Sequence, residues 1–213
     1  MESPEQARAY ADADFSAPHD AFVAAFRERF PDFGGGTAVD LGCGAADIAV
    51  RFARAHPGAR VHGVDGSAAM LELGAAHVEA SGLATSITLQ LARLPVAEPR
   101  ATLGGPFDAV ITNSLLHHLA DPMVLWHTAE EVAGPQAPVF VMDLRRPAST
   151  DIADTLVATY AAGEHPLLQE DFRASLCAAY TVGEVAAQVE SAALPLRVEA
   201  LGDRHLLVWG PLR

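Results

Sequence analysis

The chain has 213 residues, 50% of them hydrophobic, with 17 Gly, 14 Pro and a formal net charge of -13 at pH 7. That size and composition suit one globular domain with a substantial buried core and exclude a disordered or fibrous chain. The acidic balance, with no run of Lys or Arg, argues against a phosphate-binding surface built on counterion release, so no nucleic-acid partner is expected.

In chain order, residues 1–36 are read as an N-terminal helical cap segment. It opens on "MESPEQARAYADADF", which is acidic and lacks the basic flank and apolar stretch of a secretion signal. No later segment is long and apolar enough to span a bilayer, so a cytoplasmic location without a membrane partner is expected. "GTAVDLGC" reads as a buried strand, "ADIAVRFARAHP" as a helix stopped by Pro57, and "ARVHGVDG" as a second strand. "SAAMLELGAAHVEASG" is then helical, with Ser67 as N-cap and Gly82 as its stop. "SITLQLA" and "FDAVITN" read as the third and fourth strands, "DPMVLWHTAEEVA" as a helix and "APVFVMDL" as the fifth strand.

Beyond Leu144 two helix-like stretches stand where one connecting helix would do, "STDIADTLVATYAAG" and "LLQEDFRASLCAAY". Residues 145–180 are therefore read as a helical insertion over the sheet's carboxyl edge, placed to act as a lid. "TVGEVAAQVESAAL" is an amphipathic helix, and "LRVEAL" and "RHLLVWG" form a terminal antiparallel hairpin around Gly202 and Asp203. Near-continuous Val- and Ile-rich strands alternating with helices give an α/β, Rossmann-like doubly wound sheet, mostly parallel, with that hairpin at its end. No Pro/Gly/Ser linker or internal repeat divides the chain, so 1–213 is read as a single domain. Cys43 and Cys177 lie far apart with no paired-cysteine motif, so no disulfide and no metal site is expected.

The turn after the first strand carries the chemistry. Gly42 and Gly44 let the backbone bend sharply and bring bare peptide groups to the N-terminus of the next helix, a setting for a nucleotide-like ligand. Asp65 ends the second strand about twenty residues later, where an acid accepts hydrogen bonds from both hydroxyls of a ribose. A dinucleotide fold places a third glycine where this chain has Asp47, and a carboxylate there, with Asp40 before the turn, repels a pyrophosphate. Both acids suit a cationic ligand instead, one with an α-amino group or a sulfonium.

In their order, "VDLGCGAAD", "VHGVDGSAAML", "FDAVITNSLLHHLADP" and "VFVMDL" resemble the class I S-adenosylmethionine-dependent methyltransferases over about residues 37–144 and the terminal hairpin. The resemblance implies S-adenosylmethionine as cofactor. Gly42 and Gly44 would line its methionine moiety, Asp40 would lie near the ammonium group, Asp65 would hold the ribose, and Gly66 and Met70 would flank the adenine. Where many relatives carry an acid followed by Ala after the third strand, this chain has Gln90 and Leu91; the Gln90 oxygen keeps the capacity to accept from the adenine amino group.

Asn113 to His118 fall at the carboxyl edge, and Asn113 is counted with the cofactor residues. In the related methyltransferases and cyclopropane synthases that this pattern resembles, the first residue of the pair faces the acceptor pocket, which assigns that place to His117. Its imidazole is read either as a general base or as an aligner of the acceptor, and His118 as structural. Arg145 and Tyr160 are candidate substrate contacts at the active edge and in the insertion. Tyr10 and Phe15 either fold over the cofactor or pack into the core.

The implied activity is methyl transfer to a small-molecule acceptor by in-line displacement at the sulfonium methyl. Two alternatives stay open at this point: a cofactor-binding protein without transferase activity, and a nicotinamide-dependent oxidoreductase, against which Asp47 argues.

Overall fold

The structure, a computed structural model, describes residues 15–212; Tyr10 and the rest of 1–14 lie outside the described residues. The first helix, α1 (Ser16–Arg29), is followed by β1 (Gly36–Leu41), α2 (Asp47–Ala55), β2 (Ala59–Asp65), α3 (Ala68–Ala80) and β3 (Ile87–Leu91). Next come α4 (Pro99–Leu103), β4 (Ala109–Asn113), a 3-10 turn (Leu116–His118), α5 (Met123–Val132) and β5 (Pro138–Leu144). The chain closes with α6 (Thr150–Tyr160), α7 (Pro166–Ala178), α8 (Val182–Ser191), β6 (Arg197–Leu201) and β7 (His205–Pro211).

Seven strands form one sheet in the order β3-β2-β1-β4-β5-β7-β6. The pairs among the first five are parallel, while β7 runs antiparallel to both β5 and β6. This is the expected doubly wound arrangement with a terminal hairpin, and the order reverses between β1 and β4, where ligands bind in such sheets. Among the described residues no helix is long and apolar enough to cross a membrane.

Strand period sorts the central residues onto two apolar layers. Val39 and Leu41 face Trp126 of α5 and Val185 of α8, whereas Ala38 faces Phe22 and Phe26 of α1 and Phe52 of α2. Phe22 and Phe26 lie one helical turn apart on the same face of α1 and are fully buried. The Phe26 ring packs edge-on to Phe52 at 4.9 Å and to Phe140 at 5.6 Å between centroids. Residues 16–29 of the N-terminal segment therefore form a layer of the sandwich, with their aromatic side chains in its core. Phe15, at the start of α1, stacks on His19 at 5.6 Å.

The helix ends follow sequence chemistry. Ser67 caps α3 by accepting from the Met70 amide, and Gly82 just past its end takes φ +70°. Thr181 and Glu184 form a reciprocal capping box on α8. The helix α4 and the 3-10 turn were not expected, since five and three residues are too short to show a helical period.

Residues 145–180 fold as a helical hairpin whose ends meet. Arg145 and Tyr180 pair as an isolated parallel bridge, and the Arg146 amide donates to the Tyr180 carbonyl at 3.0 Å. Between those ends Ala153, Leu156, Leu176 and Ala179 form a small core that packs on Leu144 at the end of β5.

Candidate active site

The glycine turn is held from two sides. Gly42 and Cys43 both donate their amides to the Val64 carbonyl, at 2.8 and 3.0 Å. Gly42 takes φ +74° and Gly44 φ +53°, and a side chain at Gly42 would collide with Leu115, which follows β4. The bare position at Gly42 thus admits Leu115, a neighbour that sequence spacing does not reveal. Helix α3 presses on the same turn through Gly74, where a Cβ would lie 3.3 Å from the Gly44 carbonyl oxygen.

Asp40 lies between Gly63 of β2 and Ile111 of β4 in the middle of the sheet, 1% exposed. Neither of its carboxylate oxygens has a hydrogen-bond partner among the described residues. Burial, with the nearby charge of Asp65 adding to it, pushes this carboxyl up to about 8. An unpartnered buried acid costs stability unless a cation or a donor reaches it, so the position is suited to a positively charged ligand group.

Asp65 is aimed by two amides: Gly44 donates to one of its oxygens at 2.9 Å and Ser67 to the other at 2.8 Å. Each oxygen keeps a free lone pair, enough for a bidentate contact with a diol. Met70 is buried, with its terminal methyl over Gly44, and Gly66 backs onto the side chain of Arg93. Leu91 ends β3 in register with Asp65 and is 59% exposed, an apolar surface beside that acid.

Asp47, expected to face a cationic ligand, is instead occupied within the protein. It takes His19 of α1 at 2.5 Å and Arg51 at 2.7 Å, and Arg51 also pairs with Asp20. His19, with Arg51, holds the Asp47 carboxyl down at about 2, against the upward effect of burial, and the network ties α1 to α2. Gln90 is likewise committed. Its oxygen lies 2.8 Å from His62 Nε2 and its amide donates to the Thr102 carbonyl at 2.9 Å, because the parallel register sets His62 diagonally across from Gln90.

On the acceptor side, Asn113 ends β4 and donates to the Ser114 hydroxyl at 3.2 Å. His117 is buried in the 3-10 turn, its Nδ1 2.6 Å from the Asp143 carboxylate at the end of β5. Asp143 is the residue that sequence reasoning missed; an acid ending a strand was its only signal. His118 lies against His117 with ring centroids 4.1 Å apart, and burial, with the neighbouring His117 ring adding to it, pushes it down to about 4.

Arg145 and Tyr160 are not brought to His117. Arg145 donates to the Gly202 and Asp203 carbonyls at 3.2 and 3.0 Å, and the Tyr160 hydroxyl donates to the Asp203 carboxylate at 2.6 Å under the guanidinium of Arg204. Both residues fasten the insertion to the β6–β7 turn. Among the described residues, no group of His, Cys, Asp and Glu is arranged to hold a metal ion.

A parallel sheet with this switch point, a glycine turn, a buried acid before it and a second acid ending the next strand together define an α/β domain for an adenosine-bearing cationic cofactor. Residues 39–139 match the family model described as a methyltransferase domain. A release factor glutamine methyltransferase from Gloeobacter violaceus is 43% identical over 79 residues, 37% of this chain and 26% of that one. A ubiquinone biosynthesis O-methyltransferase from Caulobacter vibrioides is 32% identical over 114 residues, 54% of this chain and 43% of that one. The chain thus spans less than half the length of either relative. The crystal structure of a SAM-dependent methyltransferase from Aquifex aeolicus superimposes with a TM-score of 0.72 over 100% of both chains at 17% identity, a likeness of fold. Over residues 39–139 the chain thus resembles a methyltransferase domain, and its fold is the one seen in S-adenosylmethionine-dependent methyltransferases.

Proposed function

We propose that this protein binds S-adenosylmethionine at the glycine turn and transfers its methyl group in line to a small-molecule acceptor. The observation that carries the reading is Asp40: a fully buried carboxylate, unpartnered among the described residues, immediately before the turn. S-adenosylmethionine supplies a methyl already activated on a sulfonium, so the protein's part is to align the acceptor and exclude water.

In this reading Asp40 receives the ammonium group, directly or through water, and Gly42 and Gly44 present backbone along the methionine moiety. Asp65, pre-aimed by the Gly44 and Ser67 amides, accepts from both ribose hydroxyls. Met70, Gly66 and the exposed Leu91 flank the adenine. Gln90 supports that wall from behind, its oxygen being taken by His62. Asn113 closes the cofactor pocket at the end of β4, and His117 faces the acceptor. The insertion serves as the lid.

Calorimetry with S-adenosylmethionine, S-adenosylhomocysteine and NAD tests the cofactor: binding of the first two and not the third is expected. Labelled methyl transfer to a broad small-molecule panel tests the reaction. Cofactor binding with no transfer to any acceptor would make the chain a binding protein, and NAD binding alone would overturn the reading.

A further inference from the structure

Asp143 is fully enclosed at the carboxyl edge, and three donors converge on it. The Leu116 amide donates to Oδ2 at 2.7 Å, the Leu144 amide to Oδ1 at 2.7 Å, and His117 Nδ1 lies 2.6 Å from Oδ1. The side chains of His117 and Asp143 are 3% and 2% exposed. A carboxylate receiving two amides acts as an acceptor, so the hydrogen between it and the imidazole sits on His117 Nδ1. In the neutral ring the other nitrogen, Nε2, is then bare. It has no partner among the described residues, and it is not among the unpartnered atoms that the fold seals from solvent.

The neighbouring imidazoles lack such support. His118 and His205 are each pushed down to about 4, chiefly by burial, so at neutral pH they surround the pair without charge. Of the three rings, only His117 is given a carboxylate by hydrogen bond among the described residues.

We propose that Asp143 is a positioning residue that locks His117 in the tautomer with a bare Nε2, making it the general base, and that the acceptor atom is accordingly a hydroxyl oxygen. This rests on the methyl-transfer reading above. As the acceptor oxygen forms its bond to the methyl carbon, the carbon–sulfur bond breaks and its electron pair returns to sulfur. The hydroxyl proton passes to His117 Nε2, and the imidazolium is held against Asp143. Such a base matters most for a hydroxyl. A thiol ionises near pH 8.5 on its own and a neutral amine attacks with its own lone pair, while a phenolic hydroxyl keeps its proton to about pH 10.

Nitrogen-15 NMR of the histidine rings, with S-adenosylhomocysteine added, reads the tautomer directly, the His117 signals being assigned by their loss in His117→Gln. The expected result is a proton on Nδ1 and none on Nε2 in the wild type, reversed in Asp143→Asn, whose amide presents a donor to the ring. A protonated Nε2 in the wild type overturns the proposal without recourse to any variant. In turnover, Asp143→Asn should lower kcat by about 10²- to 10⁴-fold while leaving KM for S-adenosylmethionine within about twofold.

Across a series of substituted phenols that loss should shrink as the hydroxyl becomes more acidic. An equal loss for every phenol, as a purely structural role would give, overturns the role of Asp143. Transfer to amine or thiol probes with none to phenols or aliphatic alcohols overturns the hydroxyl assignment, as does a hydroxyl panel that yields no product. Failure of the wild type to bind S-adenosylhomocysteine in calorimetry would sink the methyltransferase reading itself, a result separate from the tautomer.

Discussion

In the proposed reading, Asp40 couples cofactor recognition to stability through its proton. Its carboxyl is raised from 3.8 to about 8 in the fold, chiefly by burial and then by Asp65, so between those values the folded chain holds a proton that the unfolded chain releases. The stability of the cofactor-free protein should therefore fall as pH rises from about 4 towards 8, because there the native state binds more protons than the unfolded one. Melting curves of the wild type and Asp40→Asn across pH 5 to 9 check this: the variant should lose most of the slope and be the more stable at pH 8. S-adenosylhomocysteine, whose ammonium would compensate the ionised acid, should reduce the wild-type slope and leave the variant's unchanged. At Asp65, replacement by Ala should weaken cofactor binding by roughly 1.5–3 kcal/mol, the scale of hydrogen bonds to a charged group. Asp65→Asn serves as the control that keeps an acceptor for the Gly44 amide; a folded Ala variant with wild-type affinity would remove Asp65 from the ribose. The positions of both acids were legible, because Asp65 ends an apolar run at Gly66 and Asp40 stands in one that runs into Gly42; the ligand contacts proposed for them are what these variants test. Asp47 and Gln90 take partners that the sequence did not show, since His19 and His62 each lie 28 residues away and meet them only through helix packing and strand register.

Among the elements, the strands and long helices were readable from period and caps, since burial on both sheet faces writes continuous Val and Ile runs and each helix stop has its own residue chemistry. The insertion was readable as two helices, but not its manner of attachment, which depends on Arg145, Tyr160, Arg204 and the β6–β7 turn meeting in space. Its core is five residues, against the extensive layers on either side of the sheet. Elements with so little buried apolar contact open below the global unfolding free energy. Leu176→Ala should therefore cost about 2–5 kcal/mol locally, as for other buried leucines. In hydrogen exchange the amides of α6 and α7 should lose protection while those of β1, β4 and β5 keep theirs. In the wild type, cofactor and acceptor together should raise protection across 145–180. Strong and equal protection with and without ligands would count against a lid.

For the molecule as a whole, α1 matters more than its place near the chain's start suggests, because Phe26 packs against the rings of Phe30, Phe33, Phe52, His56 and Phe140. Phe26→Ala should lower global stability by about 3–5 kcal/mol, read as a shifted denaturation midpoint with exchange protection falling across every central strand; a change confined to α1 would show that the helix is an appendage. The bridge between Arg145 and Tyr180 has a consequence at this scale too. The insertion departs and returns at one hydrogen-bonded point, and between its ends it meets the rest of the fold at Leu144 of β5 and, through Tyr160, at the β6–β7 turn. A chain in which a short turn joins those two residues should still bind S-adenosylhomocysteine and melt cooperatively, and should lose methyl transfer. If so, the protein is two separable parts: a cofactor platform whose geometry is fixed by β1, β2 and β4, and a cassette that can be exchanged to suit another acceptor without disturbing the platform.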